Sequence, residues 1–100
     1  MMRQPYVGGL VSEQVAKIGI VNAPRRRRSL VVNIEPEGED YTLECGDELE
    51  VYAKASGQTL PWFETVVTDD AITVWINGPC DGFFVLQNGQ LIFCGHKRGL

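Results

Sequence analysis

The sequence predicts an all-β domain, an antiparallel β-sandwich or a small barrel, with about eight short strands. Apolar and polar residues alternate with a period of two in several segments, turn-forming residues recur at short intervals, and no long segment has a helical period. A period of two is typical of strands that bury one face. A jelly-roll arrangement is the topology that we favour for these strands.

The composition is that of one globular domain spanning residues 1–100. The chain has 100 residues, 44% of them hydrophobic, and a net charge of −4, so we expect neither general disorder nor nucleic-acid binding. Residues 1–14 are the segment that we expect to be flexible. Because neither a secretion signal nor an apolar membrane span is recognisable, we expect a cytoplasmic protein without a membrane partner.

Residues 15–21 are predicted to form the first strand. Ile18 and Ile20 are β-branched, and Gly19 would weaken a helix. A short helix capped by Ser12 is the alternative for this region.

The stretch around which the chain is organised contains three predicted strands, at 29–34, 40–45 and 48–55. Turn signals at 36–38 and 46–47 separate them. In the third strand Leu49, Val51 and Ala53 are predicted to face the core, while the charged residues between them face water. The chain therefore crosses one core repeatedly within this stretch.

The second half is predicted to add four strands, at 62–68, 71–76, 83–86 and 91–94. Residues 69–70 are predicted to close a hairpin between the first two of these. Asn88-Gly89 is predicted to close another, because this dipeptide favours a type I′ turn. Residues 77–82 consist of turn-forming residues and are predicted to be a loop.

Four consecutive arginines at 25–28 form a candidate basic patch. The next segment is strongly acidic, so we favour a solvated loop or surface ion pairs with neighbouring acidic residues. Each such pair would contribute only ~0–1 kcal/mol.

No catalytic or metal-binding spacing is recognisable in the sequence. Cys45, Cys80 and Cys94 match no zinc or redox motif, and His96 is the single histidine of the chain. We therefore predict no catalytic residue, no metal and no cofactor. Reduced cysteines are favoured over a disulfide between Cys80 and Cys94.

The turn Cys45-Gly46-Asp47-Glu48 resembles the Gly-Asp turns between the short strands of cupins. The resemblance implies a cupin-like jelly roll. Cupin catalysis usually rests on a metal held by several histidines and a carboxylate, which a single histidine does not supply. The resemblance therefore covers the turn and the spacing of the strands only.

Three motifs are similar to those of small uncharacterised bacterial proteins. They are I-E-P-x-G-x-x-Y-x-L at residues 34–43, G-x-x-L-E-V at 46–51 and D-x-I-x-V-W at 70–75. The position after Pro36 is frequently aromatic in those proteins, and here it is Glu37. The resemblance implies a compact bacterial β domain and no known activity.

The candidate ligand-binding or partner-binding residues are Trp75, Trp62, Glu48, Glu50 and Tyr52. The alternation of residues 71–76 turns Val74 and Ile76 inward and leaves Trp75 outward, and an exposed tryptophan is typical of a binding surface. The glutamates on the strand at 48–55 would form an acidic face that attracts a basic partner.

These observations predict a non-catalytic binding or protein-interaction module. A homodimer and a toxin-neutralising immunity protein are two forms that this function could take. The alternative is a small-molecule binder or enzyme of jelly-roll type, with a pocket lined by aromatic side chains.

Overall fold

The computed structural model describes residues 14–25 and 27–92, which form eight β-strands and no helix. The strands are β1 (Val15–Val21), β2 (Leu30–Glu35), β3 (Glu39–Leu43), β4 (Glu48–Ala55), β5 (Trp62–Val67), β6 (Ala71–Asn77), β7 (Cys80–Gln87) and β8 (Gln90–Ile92). The prediction of an all-β domain of about eight strands is confirmed. The expectations for residues 1–13, Arg26, Cys94 and His96 lie outside the described residues.

The described strands form two four-stranded sheets and no closed barrel. Sheet A has the strand order β1-β4-β7-β8, and sheet B has the order β3-β2-β6-β5. Both sheets contribute to one buried apolar cluster. The sequence predicts a sandwich or a small barrel, and the observed architecture is two sheets with a shared core.

One strand pairing differs from the predicted antiparallel arrangement. Strands β2 and β6 are parallel neighbours at the centre of sheet B. All other pairings between the strands are antiparallel. Side chains alternate in the same way in parallel and antiparallel strands, so the alternation in the sequence does not distinguish the two.

The core consists of the residues that the two-residue alternation places on the inner faces. Buried members from sheet A are Ile20, Leu49, Val51, Ala53 and Val85. Buried members from sheet B are Leu30, Val32, Ile34, Tyr41, Leu43, Val74 and Ile76. The inward position of these side chains leaves the alternate residues of each strand on two outer faces, one per sheet.

The predicted loop at 77–82 is longer than the observed one, because β6 ends at Asn77 and β7 already begins at Cys80. The register between β4 and β7 shifts between the pairs Ala53–Phe83 and Ala55–Cys80, so β7 contains one extra residue. A bulge accommodates such a residue, and Gly82 there has a φ of 100°. Gly82, which indicates a turn in the sequence, therefore lies within a bulged strand.

The predicted hairpin at Asn88-Gly89 is confirmed. Gln87 and Gln90 are paired, so Asn88 and Gly89 form a two-residue loop between β7 and β8. Asn88 has a φ of 51° and Gly89 a φ of 83°. Positive φ at both central positions is what a type I′ turn requires.

A fully buried asparagine ties together the chain segments at one end of the sandwich. The side chain of Asn22 is 0% exposed. Its Nδ2 donates to the carbonyl oxygens of Arg28 and Leu43, each at 2.9 Å. Its backbone N–H donates to the Asp47 carbonyl at 2.9 Å, and its own carbonyl accepts from Gly46 at 2.8 Å. The loop before β2 and the turn after β3 are thus held by one residue.

Asp47 connects the turn between β3 and β4 to the β7–β8 hairpin. Its carboxylate accepts hydrogen bonds from Asn88 Nδ2 at 3.0 Å, the Glu44 backbone N–H at 2.9 Å and Gln87 Nε2 at 3.3 Å. The bond from Asn88, followed by those from Glu44 and Gln87, holds the pKa of Asp47 below its ordinary value of 3.8. The charged carboxylate is therefore the form that the fold stabilises.

This hydrogen bonding predicts a contribution to stability that depends on pH. Since folding lowers the pKa of Asp47, the contribution is complete above the unfolded-state pKa and is lost as the pH falls through the folded-state pKa. Urea unfolding between about pH 7 and about pH 2.5 should show that Asp47→Asn removes part of the acid-dependent loss of stability. Asp81→Asn, at an exposed position on β7, is the control. Equal pH profiles for the native chain and Asp47→Asn would contradict this prediction.

Candidate functional site

The five predicted binding residues lie on two opposite surfaces. Trp62 and Trp75 lie on the outer face of sheet B, where they are 53% and 40% exposed. Glu48, Glu50 and Tyr52 alternate with buried residues of β4 and therefore lie on the outer face of sheet A. The fold does not bring the two sets together, so they do not form one site.

The outer face of sheet A has an aromatic pair at its centre. The rings of Tyr52 and Phe84 are stacked, with centroids 4.8 Å apart and an interplanar angle of 6°. Lys17 Nζ lies 5.7 Å from the centroid of the Tyr52 ring. The Tyr52 hydroxyl donates to Glu50 Oε1 at 3.3 Å. The predicted outward position of Tyr52 is observed, and its ring packs against Phe84 on the surface.

The glutamates on this face are accompanied by lysines. Lys17 Nζ lies 3.4 Å from Glu50 Oε2, in an ion pair between neighbouring strands. Lys54 lies on the same face of β4 as Glu48 and Glu50, because these positions differ by even numbers of residues. Two lysines thus accompany the two glutamates on this face.

The outer face of sheet B carries a row of three residues on adjacent strands. Trp75 of β6 is the direct partner of Glu35 in β2 and of Glu64 in β5. Directly paired residues have Cα atoms about 5 Å apart and side chains on the same face of a sheet. An exposed indole is therefore flanked by a carboxylate on each side. We call Glu35, Trp75 and Glu64 the tryptophan row.

No cation accompanies the tryptophan row within its own sheet. The strands β2, β3, β5 and β6 contain no lysine and no arginine. Within the described strands, the outer face of sheet B beside Trp75 therefore carries the carboxylates of Glu35 and Glu64 without a lysine or arginine on the same sheet.

The side chains around the row are held in place. Asn77 Nδ2 donates to Glu64 Oε1 at 2.9 Å, which orients that carboxylate on the sheet surface. The Trp62 indole lies against Gly78, since a Cβ atom at that glycine would be 2.5 Å from Trp62 Cζ3. Trp62 pairs with Asn77, one diagonal step from Trp75. Diagonal neighbours on a sheet are within reach of aromatic side chains.

Sequence reasoning identified Trp75 but missed Glu35 and Glu64 as its neighbours. Glu64 could have been found, because the hairpin between β5 and β6 has a two-residue loop that places it opposite Trp75. Glu35 could not, because its position depends on the parallel pairing of β2 with β6.

Strand β5 is an edge of sheet B with exposed apolar residues. Only β6 neighbours it in the part of the chain that the structure describes. Val66 lies on the outer face beside the row, and Val67 lies on the inner face, yet Val67 is 67% exposed. Neither face of this strand is fully covered near its end.

The arginine segment forms a surface ion pair. Arg28 Nη2 lies 3.2 Å from Asp70 Oδ1, in the turn between β5 and β6. Both side chains are more than half exposed, so the pair contributes only about 0–1 kcal/mol. For Arg28 this agrees with the interpretation of the segment as a solvated, ion-paired loop.

The cysteines within the described residues are free thiols. Cys45 Sγ donates to the Pro24 carbonyl at 2.7 Å, and Cys80 Sγ donates to the Gly82 carbonyl at 3.3 Å. Within residues 14–25 and 27–92, no three His, Cys, Asp or Glu residues are grouped so that they could hold a metal ion.

The exposed aromatic residues are thus divided between two outer faces. On sheet B, carboxylates flank Trp75, and the strands of that sheet contain no lysine or arginine.

No helix in the described part of the chain has the length and apolar character needed to cross a membrane. Comparison of the chain with protein-family models, with curated proteins and with solved structures finds no match.

Proposed function

We propose that this protein is a non-catalytic protein-interaction module that binds a basic partner through the tryptophan row. The observation that carries the proposal is the direct pairing of exposed Trp75 with Glu35 on one side and Glu64 on the other. This function keeps the predicted role of Trp75 and places Glu35 and Glu64 beside it, in place of the predicted Glu48 and Glu50.

The chemistry of the row suits an arginine or lysine side chain. A cation above an indole face is attracted by about 0.5–1 kcal/mol at an exposed site. A carboxylate on either side can add charge-assisted hydrogen bonds, for which a guanidinium has several donors in one plane. The net charge of −4 adds long-range attraction for a basic partner.

An oligo-arginine peptide of about five residues is the probe for this function. We expect it to change the tryptophan fluorescence of the chain and to bind in calorimetry, with an affinity that falls as salt is raised. A peptide of the same length made of glutamates should not bind. Equal responses to the two peptides would show that charge does not direct binding.

Variants of the tryptophan row test where on the protein the peptide binds. Trp75→Ala should weaken arginine-peptide binding about two- to fivefold, and Glu35→Gln combined with Glu64→Gln should weaken it further. Glu48→Gln is the control for position, since it removes a carboxylate from the opposite face. If Glu48→Gln weakens binding as much as the paired Gln variant does, the interaction does not depend on the tryptophan row.

The remaining expectations about function stay predictions. A small-molecule binder or enzyme of jelly-roll type is still the alternative, although Trp62 and Trp75 lie on one outer face and Tyr52 and Phe84 on the other. A homodimer, an immunity protein and a cytoplasmic location also await measurement. Elemental analysis of the purified protein would favour the enzyme if it showed a bound metal.

A further inference from the structure

We infer that the basic partner binds as an extended strand that pairs antiparallel with β5, along the edge that no described strand occupies, and places a cationic side chain opposite Glu64. This inference rests on the proposed function and adds how the partner is held and which side-chain pattern it has. It combines the hydrogen-bonding direction of β5, the composition of that strand and the charge of the adjacent outer face.

The hydrogen-bonding direction of β5 follows from its hairpin with β6. The backbone N–H of Thr68 donates to the carbonyl of its partner Ala71 at 2.8 Å. Hydrogen-bonded and non-hydrogen-bonded pairs alternate along an antiparallel ladder. Trp62, Glu64 and Val66 therefore direct their backbone groups toward β6. The N–H and C=O groups of the residues between them point to the open edge, and these residues are Phe63, Thr65 and Val67.

Nothing within β5 protects this edge from pairing. Edge strands are commonly blocked by proline, lysine or a bulge. The sequence of β5 is WFETVV, which has no proline and no lysine, and its register with β6 is continuous. Aromatic and β-branched residues favour the extended conformation that an added strand requires. The edge thus resembles those that receive a peptide by β-strand addition.

The two faces of β5 predict an alternating partner. Residues of an added strand lie on the same face as the residues that they oppose. On the outer face they would oppose Glu64, the member of the tryptophan row that lies on β5, where an arginine or lysine is favoured. On the inner face they would oppose Thr65 and Val67, and Val67 is 67% exposed there. Apolar side chains are favoured at these alternate positions because they would cover Val67.

Charge favours such a peptide over a second copy of this chain. Two β5 edges that paired antiparallel about Thr65 would use all their outward backbone groups, and Glu64 would then oppose Val66 of the other copy. Pairing about Glu64 would place two carboxylates opposite each other, which is destabilising. Neither register supplies a cation to the row, since β5 contains no lysine or arginine.

N-methylated peptides test the strand pairing directly. The probe is a peptide of about nine residues that alternates arginine and valine. In an antiparallel addition, valines opposite Phe63, Thr65 and Val67 would direct their N–H groups toward β5, while the arginines direct theirs away. Methylation of the valine amides should therefore weaken binding at least about tenfold, and methylation of the arginine amides should weaken it much less.

Two variants at one position test the protein side. Thr65→Pro removes an N–H that points away from β6, and we expect it to weaken binding of the unmethylated peptide by about tenfold. Thr65→Val keeps the N–H and should bind as the native chain does. Circular dichroism checks that both variants fold. If Thr65→Pro does not fold, binding of the methylated peptides to the native chain still tests the strand pairing.

The outcomes separate this inference from the proposed function. If both methylated peptides bind as tightly as the parent while Trp75→Ala still weakens binding, strand pairing is wrong and the tryptophan row remains the binding surface. Failure of the parent peptide to bind at up to about 1 mM overturns the strand pairing as well. If light scattering shows a dimer that Thr65→Pro dissociates, the occupant of the edge is a second copy rather than a basic peptide.

Discussion

Replacing Asn22 with alanine should lower the free energy of unfolding by about 3 kcal/mol. The substitution removes the Nδ2 donor from the carbonyl oxygens of Arg28 and Leu43 and leaves a cavity at a site with no solvent exposure. Buried acceptors that lose their donor cost about 1–3 kcal/mol each, and partial relaxation reduces their sum. Urea denaturation of the native chain and the variant measures the difference.

A second substitution and a control sharpen this result. Asn22→Asp keeps the shape of the side chain but directs a carboxylate oxygen at the same two carbonyl oxygens, so we expect it to destabilise at least as strongly as alanine. Asn33→Ala, on the outer face of β2, should change stability by less than about 0.5 kcal/mol. A loss of under about 1 kcal/mol for Asn22→Ala would mean that solvent replaces the lost donor.

Gly78→Ala should destabilise the chain by about 2 kcal/mol and move the Trp62 indole. Two effects add at this glycine. Its φ of 87° is unfavourable for a residue with a Cβ atom, and that atom would be 2.5 Å from Trp62 Cζ3. We expect a shift in tryptophan emission together with a lower midpoint of urea denaturation.

Gly57→Ala separates the two effects. Gly57 has a similar φ of 92° but no heavy atom within 4 Å of an added Cβ. This control should therefore show the backbone cost alone, about 1 kcal/mol, and no change in tryptophan emission. In the background of Trp62→Ala, the cost of Gly78→Ala should fall toward that of Gly57→Ala. Equal costs in both backgrounds would show that the indole does not restrict this glycine.

The elements of the fold were largely predictable from the sequence because their signals are local. The first strand was predicted at the bounds that β1 has, Val15–Val21. The alternation in β4 placed Leu49 and Val51 in the core, where both are fully buried. The Asn88-Gly89 turn was predictable because few other dipeptides tolerate positive φ at both positions.

Features that depend on contacts between distant segments were not predictable in this way. The predicted loop at 77–82 was too long because Gly82 lies in a bulge of β7, where this strand pairs with Ala53 and Ala55 of β4. The ion pair between Lys17 and Glu50 was not predictable, because Lys17 lies on β1, more than thirty residues away. Asn22 carries no sequence signal of its burial, since an asparagine after a strand is typical of an exposed turn.

The sequence by itself determined that this protein is built from short strands, that Leu49, Val51 and Val74 face the core and that Trp75 faces outward, because a period of two is a property of each strand alone. Only the tertiary structure decided which strands are neighbours. The parallel pairing of β2 with β6 and the hairpin of β5 with β6 place Glu35 and Glu64 on either side of Trp75. The order of strands in a sheet depends on packing and hydrogen bonding between segments far apart in the chain, and alternation within one strand contains no information about its neighbours.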